Sequence, residues 1–215
     1  MRTRRRLVGL LLGLSALTVV VVPLTGASAQ VEDTIHWGQS PYYPTCLEGP
    51  CRVVLIADKT GDAGVAAQVH RWIDWMNYVR VNYVISFPAF AYVGPLDDGS
   101  CATAPGFISL CRSNTIVNAD CDNNPNAIRC TVFNYGLSDN HITWSRTSMR
   151  PIEVDGADTW TLVCGALGRA IGLPQTSDAN SCMNGTLTIG SGQEKYYTND
   201  DWLSLISTYN HPAGS

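Results

Sequence analysis

The segment Cys164-Gly165-Ala166-Leu167-Gly168-Arg169-Ala170-Ile171-Gly172-Leu173-Pro174-Gln175 has the spacing of a metal site without its side chains. Residues four apart on an α-helix lie on one face, one turn from each other. Ligands at 165 and 169 could therefore reach one ion. A glutamate at 166 would stand ready to take a proton from metal-bound water. A glycine at 172 would end the helix and let the chain return with a third ligand at 175, leaving one coordination position open for water and substrate. The residues present cannot do this chemistry. Gly165 offers no ligand and Ala166 no base. Arg169 is a permanent cation with no acceptor atom. Gln175 is a poor neutral oxygen donor for zinc. The four residues together predict that no zinc is held at these positions.

Nothing else in the chain replaces that machinery. His36, His70, His141 and His211 are scattered, with no pair at ligand spacing. His70 is read as a helix-surface residue. No G-x-S-x-G elbow is present for a serine hydrolase. Asp120, Asp122, Asn123 and Asn126 match no calcium-loop spacing and read as turn formers. All eight cysteines follow residue 29, and an even count behind an export signal implies disulfides rather than a zinc cluster, since no C-x2-C pair occurs. Sequence alone does not fix their connectivity. The spacing favours local loops: Cys46–Cys51, Cys101–Cys111, Cys121–Cys130 and Cys164–Cys182.

Residues 1–29 read as that signal. Arg2, Arg4, Arg5 and Arg6 precede an apolar run from Leu7 to Leu24, and Ala27-Ser28-Ala29 forms a small-residue cleavage site. The alternative, a membrane anchor, is disfavoured by Gly9, Gly13, Ser15, Thr18 and Pro23 within the run and by the cleavage site. Removing the four signal arginines leaves ten basic against eighteen acidic residues, a net charge near −8. That balance argues against nucleic acid or an anionic membrane as partner. The expectation is a secreted protein with an irregular segment at 30–50 and a single domain over 51–215.

The motif must be positioned by the elements around it. Arg52 to Ala57 reads as a buried strand. Asp62 or Gly61 caps a helix to about Val81, with Val65, Val69, Trp72, Ile73, Met76 and Val79 at helical spacing and Trp75 and Tyr78 extending that face. Residues 83–87 and 89–93 flank Pro88 as broken strand material. Residues 94–128 read as loop held by two short disulfides. Residues 130–135 and 141–145 read as two strands around a turn. A second helix starts near Asp155 or Asp158 and runs to Ile171. Gly172 and Pro174 end it, and Trp160, Val163, Leu167 and Ala170/Ile171 are its core stripe. Positions 165 and 169 lie about 200° from 163 and 167 and so face away from that stripe, toward a cleft. A last helix starts at 198–200 and carries Trp202, Leu203, Leu205 and Ile206. The order is that of an α+β domain.

The run from Val163 to Pro174, then Ser181-Cys182-Met183-Asn184 and Thr208-Tyr209-Asn210-His211, resembles the C-terminal half of secreted bacterial matrixin-like metzincins. That family of zinc metalloproteases carries the frame H-E-x-x-H-x-x-G-x-x-H and a later methionine turn. The specific likeness spans roughly fifty residues. It implies a metzincin-like fold: a twisted mixed β-sheet, a long first helix, an active-site-type helix, a Met-turn at Met183 and a C-terminal helix. It places Cys164 and Cys182 to join the motif helix to the Met-turn, and gives His211 a structural role. Gly165, Ala166, Arg169 and Gln175 become vestigial catalytic positions, and Gly172 the helix-ending glycine. The implied function is a catalytically inactive pseudoprotease that binds an extended peptide or a protein in its cleft. The edge would come from 130–145 and a positive floor from Arg169, suited to a carboxylate. Two alternatives remain: an active secreted metalloendopeptidase with a non-standard site, and an extracellular structural or interaction protein.

Overall fold

The computed structural model describes residues 36–37, 53–83, 88–96, 100–135, 141–152, 156–185 and 190–209. The expected signal, the Cys46–Cys51 pair, Val84–Phe87 and His211 lie outside the described residues. The chain divides at residue 32, and every element of secondary structure named below belongs to the unit Asp33–Ser215.

Ten elements succeed one another along this unit: β1 (His36–Trp37), β2 (Val53–Lys59), α1 (Ala63–Tyr83), β3 (Ala89–Val93), β4 (Phe107–Arg112), α2 (Asn114–Asp120), β5 (Arg129–Tyr135), β6 (His141–Met149), α3 (Gly156–Ala170) and α4 (Asn199–Tyr209). The architecture is mixed α+β. Strands β3, β2, β4 and β6 lie side by side and parallel, and the two-residue β1 joins β6 in parallel at its start. Among the described strands only β5 runs antiparallel, and it pairs with β6 alone.

Helix α1 begins where Asp62 Oδ1 accepts from the Val65 amide at 3.0 Å, an N-cap that satisfies one of the free first-turn donors. Its buried face is Val65, Val69, Trp72, Ile73, Met76 and Val79, the set its periodicity predicts. Burying each such side chain contributes roughly 1.5–3 kcal/mol. Tyr78 does not extend that face. It is 61% exposed, because two residues beyond Met76 is about 200° around the helix. Trp75 is half-buried against the core.

The stretch 94–128 is not a loop. It contains β4 and α2. Ile108, Ser109, Leu110 and Cys111 are all buried, so β4 is covered on both faces, as parallel interior strands are. The surrounding Gly, Asn and Asp content hid this short apolar run. Ser113 caps α2 by accepting from the Ile116 amide at 3.4 Å. Strand β6 also continues four residues beyond 145, to Met149.

Successive residues of a strand face opposite sides of the sheet, and β6 shows which helix covers which side. Thr147 Oγ1 donates to the Ala166 carbonyl of α3 at 3.3 Å, whereas the neighbouring Arg146 pairs with Asp120 of α2. Helix α3 packs beside α1 on the larger core, and α2 covers the other face.

The end of α3 is specified in detail. The Leu173 amide bonds the Gly168 carbonyl at 3.0 Å and the Gly172 amide the Arg169 carbonyl at 2.9 Å, with Gly172 at φ +96°. This is a Schellman closure, which needs a left-handed residue at Gly172. The next carbonyls are taken by tertiary partners. Trp37 Nε1 donates to Ala170 O at 2.9 Å and Tyr209 Oη to Ile171 O at 2.7 Å. Thus β1 and α4 are tied to the segment that carries the motif. At the start of helix α4 the Asp201 carboxylate reaches back to the N-cap, accepting from the Thr198 amide at 2.7 Å and its hydroxyl at 2.9 Å. Leu203 of α4 is 63% exposed, whereas Leu205 and Tyr209 are fully buried.

Candidate functional site

Helix α3 carries three of the four motif positions, and the turn at 181–184 crosses beneath it. The turn is held by side chains. Ser181 Oγ donates to Asp201 Oδ2 at 2.6 Å and accepts from the Met183 amide at 2.8 Å. The Cys182 amide bonds Tyr196 O at 3.0 Å, and the Thr176 amide bonds Met183 O at 3.2 Å. The structure joins Cys164 to Cys182, linking α3 to this turn, and also joins Cys101 to Cys111 and Cys121 to Cys130. No free cysteine remains among the described residues.

Met183 is fully buried and lies against α3 where Gly168 leaves room. A Cβ at 168 would come within 3.0 Å of Met183 Sδ and Tyr197 Oη. Tyr197 Oη is fixed, accepting from Trp72 Nε1 at 3.0 Å and donating to Cys164 O at 3.2 Å. Burial pushes this phenol far above its ordinary range.

The face at Gly165 is closed. The guanidinium of Arg129, the first residue of β5, lies where a side chain at 165 would begin. A Cβ there would fall under 3.0 Å from Arg129 Nη1 and Cζ and from Cys182 O. Arg129 Nη1 donates to the carbonyls of Thr161 and Leu162 at 3.4 and 3.3 Å, and Nη2 to those of Cys182 and Asn184 at 2.9 and 3.3 Å. The stem of Arg129 is partly exposed, but its head is enclosed and has carbonyls as its acceptors. Burial lowers its pKa to about 10, the Tyr197 phenol opposes that, and the nearby Arg169 lowers it further. The group therefore stays charged at neutral pH. Gly165 therefore does not open onto the cleft that its helical position predicts. It is glycine because Arg129 and the turn need the space.

Arg169 is half-buried and folds back along its own helix end, with Nη1 donating to Leu173 O at 2.5 Å. Its pKa is lowered by burial. Ala166 is fully buried in the core. Gln175 is exposed and rests its amide against Gly185, where a Cβ would meet Oε1 at 3.1 Å. A bridge between Thr176 and Asn184 brings this stretch beside the turn. Of the four motif positions, Gly165 and Gln175 thus lie against the 181–185 turn, with Arg129 beside Gly165, whereas Ala166 faces the sheet and Arg169 the helix end. Sequence reasoning missed Arg129. The signal it left was an unexplained glycine in mid-helix, which costs about 1 kcal/mol against alanine.

Among the described residues, no group of three or more His, Cys, Asp or Glu side chains is placed to hold a metal. The register does set His36 opposite His141 across β1 and β6, two histidines that look unrelated in sequence. His70 is exposed and stacks near Tyr92 at 4.0 Å between ring centres. Asp122 and Asn123 adopt left-handed conformations at φ +51° and +59°, and Asp120 is committed to Arg146, so these residues serve the turn. A cavity of about 290 Å³ opens at the far end of α3, between Asp62, Arg112, Met149 and Thr159, away from Gly165, Arg169 and Gln175.

Among the described residues, β5 pairs with β6 alone and leaves its outer side as a long edge near this site. The expected edge at 130–145 is therefore narrower than its limits, because β6 lies inside the sheet, between β4 and β5. Among the described residues, no helix is long and apolar enough to cross a membrane. In comparison with known proteins, the chain matches no family model and no curated protein.

Proposed function

We propose that this chain is a secreted, metalloprotease-like protein without peptidase activity, which binds an extended peptide along β5. The observation that carries the reading is the Arg129 guanidinium in the space beside Gly165. A histidine cannot be accommodated there, and a buried guanidinium presents N–H donors and positive charge rather than lone pairs. Arg169 at the second ligand position repels a dication for the same reason.

Several further features support the metzincin-like part of the reading. Among the described residues the sheet is mixed with a single antiparallel edge, α1 is long, α3 ends at Gly172, Met183 is buried beneath α3, and α4 follows the turn. Strand addition to an edge needs backbone hydrogen bonds and no metal. Arg169 would hold a carboxylate at the end of that track, since its bond to the Leu173 carbonyl uses one of five N–H donors.

The test is twofold. An unstructured protein substrate is incubated with the purified chain and trace zinc, and cleavage that a chelator abolishes would overturn the reading. A library of extended peptides is then screened, and hydrogen exchange should slow at 130–135 in the bound state. Protection confined to surfaces away from 130–135 and 165–185 would favour an interaction protein whose cleft plays no part.

A further inference from the structure

The environment of Arg129 supports a conclusion that does not depend on peptide binding. We infer that the carbonyls of Thr161, Leu162, Cys182 and Asn184 form a cation site built for a planar guanidinium, with Arg129 as its resident ligand and as the residue that positions β5 against the 182–184 turn.

The geometry matches the ligand. The two head nitrogens divide the four oxygens, Nη1 taking the pair on α3 and Nη2 the pair on the turn. Neighbouring donors fixed in one plane are the property that distinguishes guanidinium from ammonium. The oxygens lie 2.9–3.4 Å from the nitrogens, a hydrogen-bonding shell. Ca²⁺ would require its oxygens at about 2.3–2.6 Å. The α3 carbonyls keep their helical partners and act as shared acceptors. The Cys182 carbonyl belongs to a turn, outside any helix ladder, and takes the shortest of the four bonds at 2.9 Å. The space is also reserved in the backbone, because no residue but glycine fits at 165.

The position is electrostatically costly. The head is desolvated, no carboxylate is among its acceptors, and Arg169 adds repulsion. What it gains is a tie between three segments distant in sequence: β5, α3 and the turn. Removing the side chain should leave an empty, carbonyl-lined slot with β5 released from the turn.

Chemical rescue tests this on the full chain with ethylguanidinium as the probe. Arg129→Ala should lower the melting temperature by roughly 5–10 °C. Ethylguanidinium in the low millimolar range should restore part of that loss saturably. Sodium chloride at equal ionic strength and zinc should not, and wild type should not respond. Arg129→Lys should melt between wild type and Arg129→Ala and show faster amide exchange at both 130–135 and 182–184, since an ammonium cannot bridge both oxygen pairs. It also serves where the alanine variant does not fold. A melting temperature for Arg129→Met equal to wild type would overturn the inference. So would rescue by sodium chloride to the same extent, or an Arg129→Lys variant with unchanged exchange. None of these outcomes bears on peptide binding, which has its own readout in the peptide screen.

Discussion

Gly165 and Arg129 occupy one volume: the guanidinium of the strand residue fills the place where the helix residue would put its side chain. The consequence is a reversal of ordinary helix propensity. Replacing a mid-helix glycine with alanine normally gains about 1 kcal/mol. Here overpacking of about 1–3 kcal/mol should outweigh that gain, so Gly165→Ala should destabilise the chain in denaturant melts. In an Arg129→Ala background the guanidinium part of the clash is gone while the Cys182 carbonyl remains, so the same substitution should cost clearly less than in wild type. A double-mutant cycle should therefore give a coupling of at least about 1 kcal/mol. Additive effects would show that the two residues do not compete.

Placing a metzincin-type ligand set on α3 should not create a zinc site, for the same reason. A variant with Gly165→His, Ala166→Glu, Arg169→His and Gln175→His has the full ligand set by sequence. With Arg129 in place, its first histidine has no room. Zinc content measured after dialysis should stay near zero for the four-fold variant, and also when Arg129 is made small, because the Cys182 carbonyl still occupies the space. Stoichiometric zinc in the four-fold variant would mean that the guanidinium and the turn both move aside freely.

Cys164 and Cys182 close an 18-residue loop between α3 and the turn. In the chain-entropy view such a loop contributes about 3 kcal/mol. The Cys164→Ala, Cys182→Ala variant should melt roughly 6–12 °C lower, and amide exchange at 182–184 should quicken. Unchanged exchange there would show that Ser181–Asp201 and Arg129 alone hold the turn.

How much of this is legible in the sequence depends on how local the cause is. The buried face of α1, from Val65 to Val79, follows from periodicity within one helix. The stop at Gly172 follows from backbone preference, and the three observed disulfides join cysteines 9–18 residues apart. The features that sequence reasoning misses are non-local or masked by composition. Strand β4 is hidden by the turn formers around it, although Ile108 and Leu110 are fully buried. Tyr78 reads as core because aromatic content outweighs helical phase. Arg129 lies 36 positions before Gly165, and no local pattern links a strand's first residue to a glycine in a later helix.

Arg71, Glu194 and Tyr196 form an exposed cluster whose pH response can be stated. Arg71 holds Glu194 through two bonds at 2.6 and 2.8 Å, and Tyr196 Oη donates to it at 2.5 Å. The Arg71 bond, then the Tyr196 bond, lower the Glu194 carboxyl to about 2 from 4.5. A depressed carboxyl contributes stability above its unfolded value, and that stability is lost as pH falls through the folded one. The window is therefore 4.5 down to about 2. Both side chains are about a third or more exposed, so solvent screening limits the effect to at most about 1 kcal/mol. Glu194→Gln should flatten the acid limb of the melting curve across that window and leave neutral stability within that limit. An acid limb identical to wild type would place the sensitivity elsewhere.

Arg169 lies between the Gly165 face of α3 and the proposed binding track. Its Leu173 contact is a single charge-assisted bond to a carbonyl, worth about 1.5–3 kcal/mol at most, and the half-buried head leaves donors for a ligand. Arg169→Gln should keep a fold with a modestly lower melting temperature, because an amide can still donate to that carbonyl. The charge is what a peptide carboxylate would need. For any peptide recovered from the screen, affinity should fall at least about tenfold in Arg169→Gln, and capping the peptide's carboxylates should produce the same loss in wild type. If the two losses coincide and do not add in combination, Arg169 is the carboxylate's partner. If affinity is unchanged by either, the peptide meets β5 without Arg169, and the positive charge beside Gly172 serves the helix end alone.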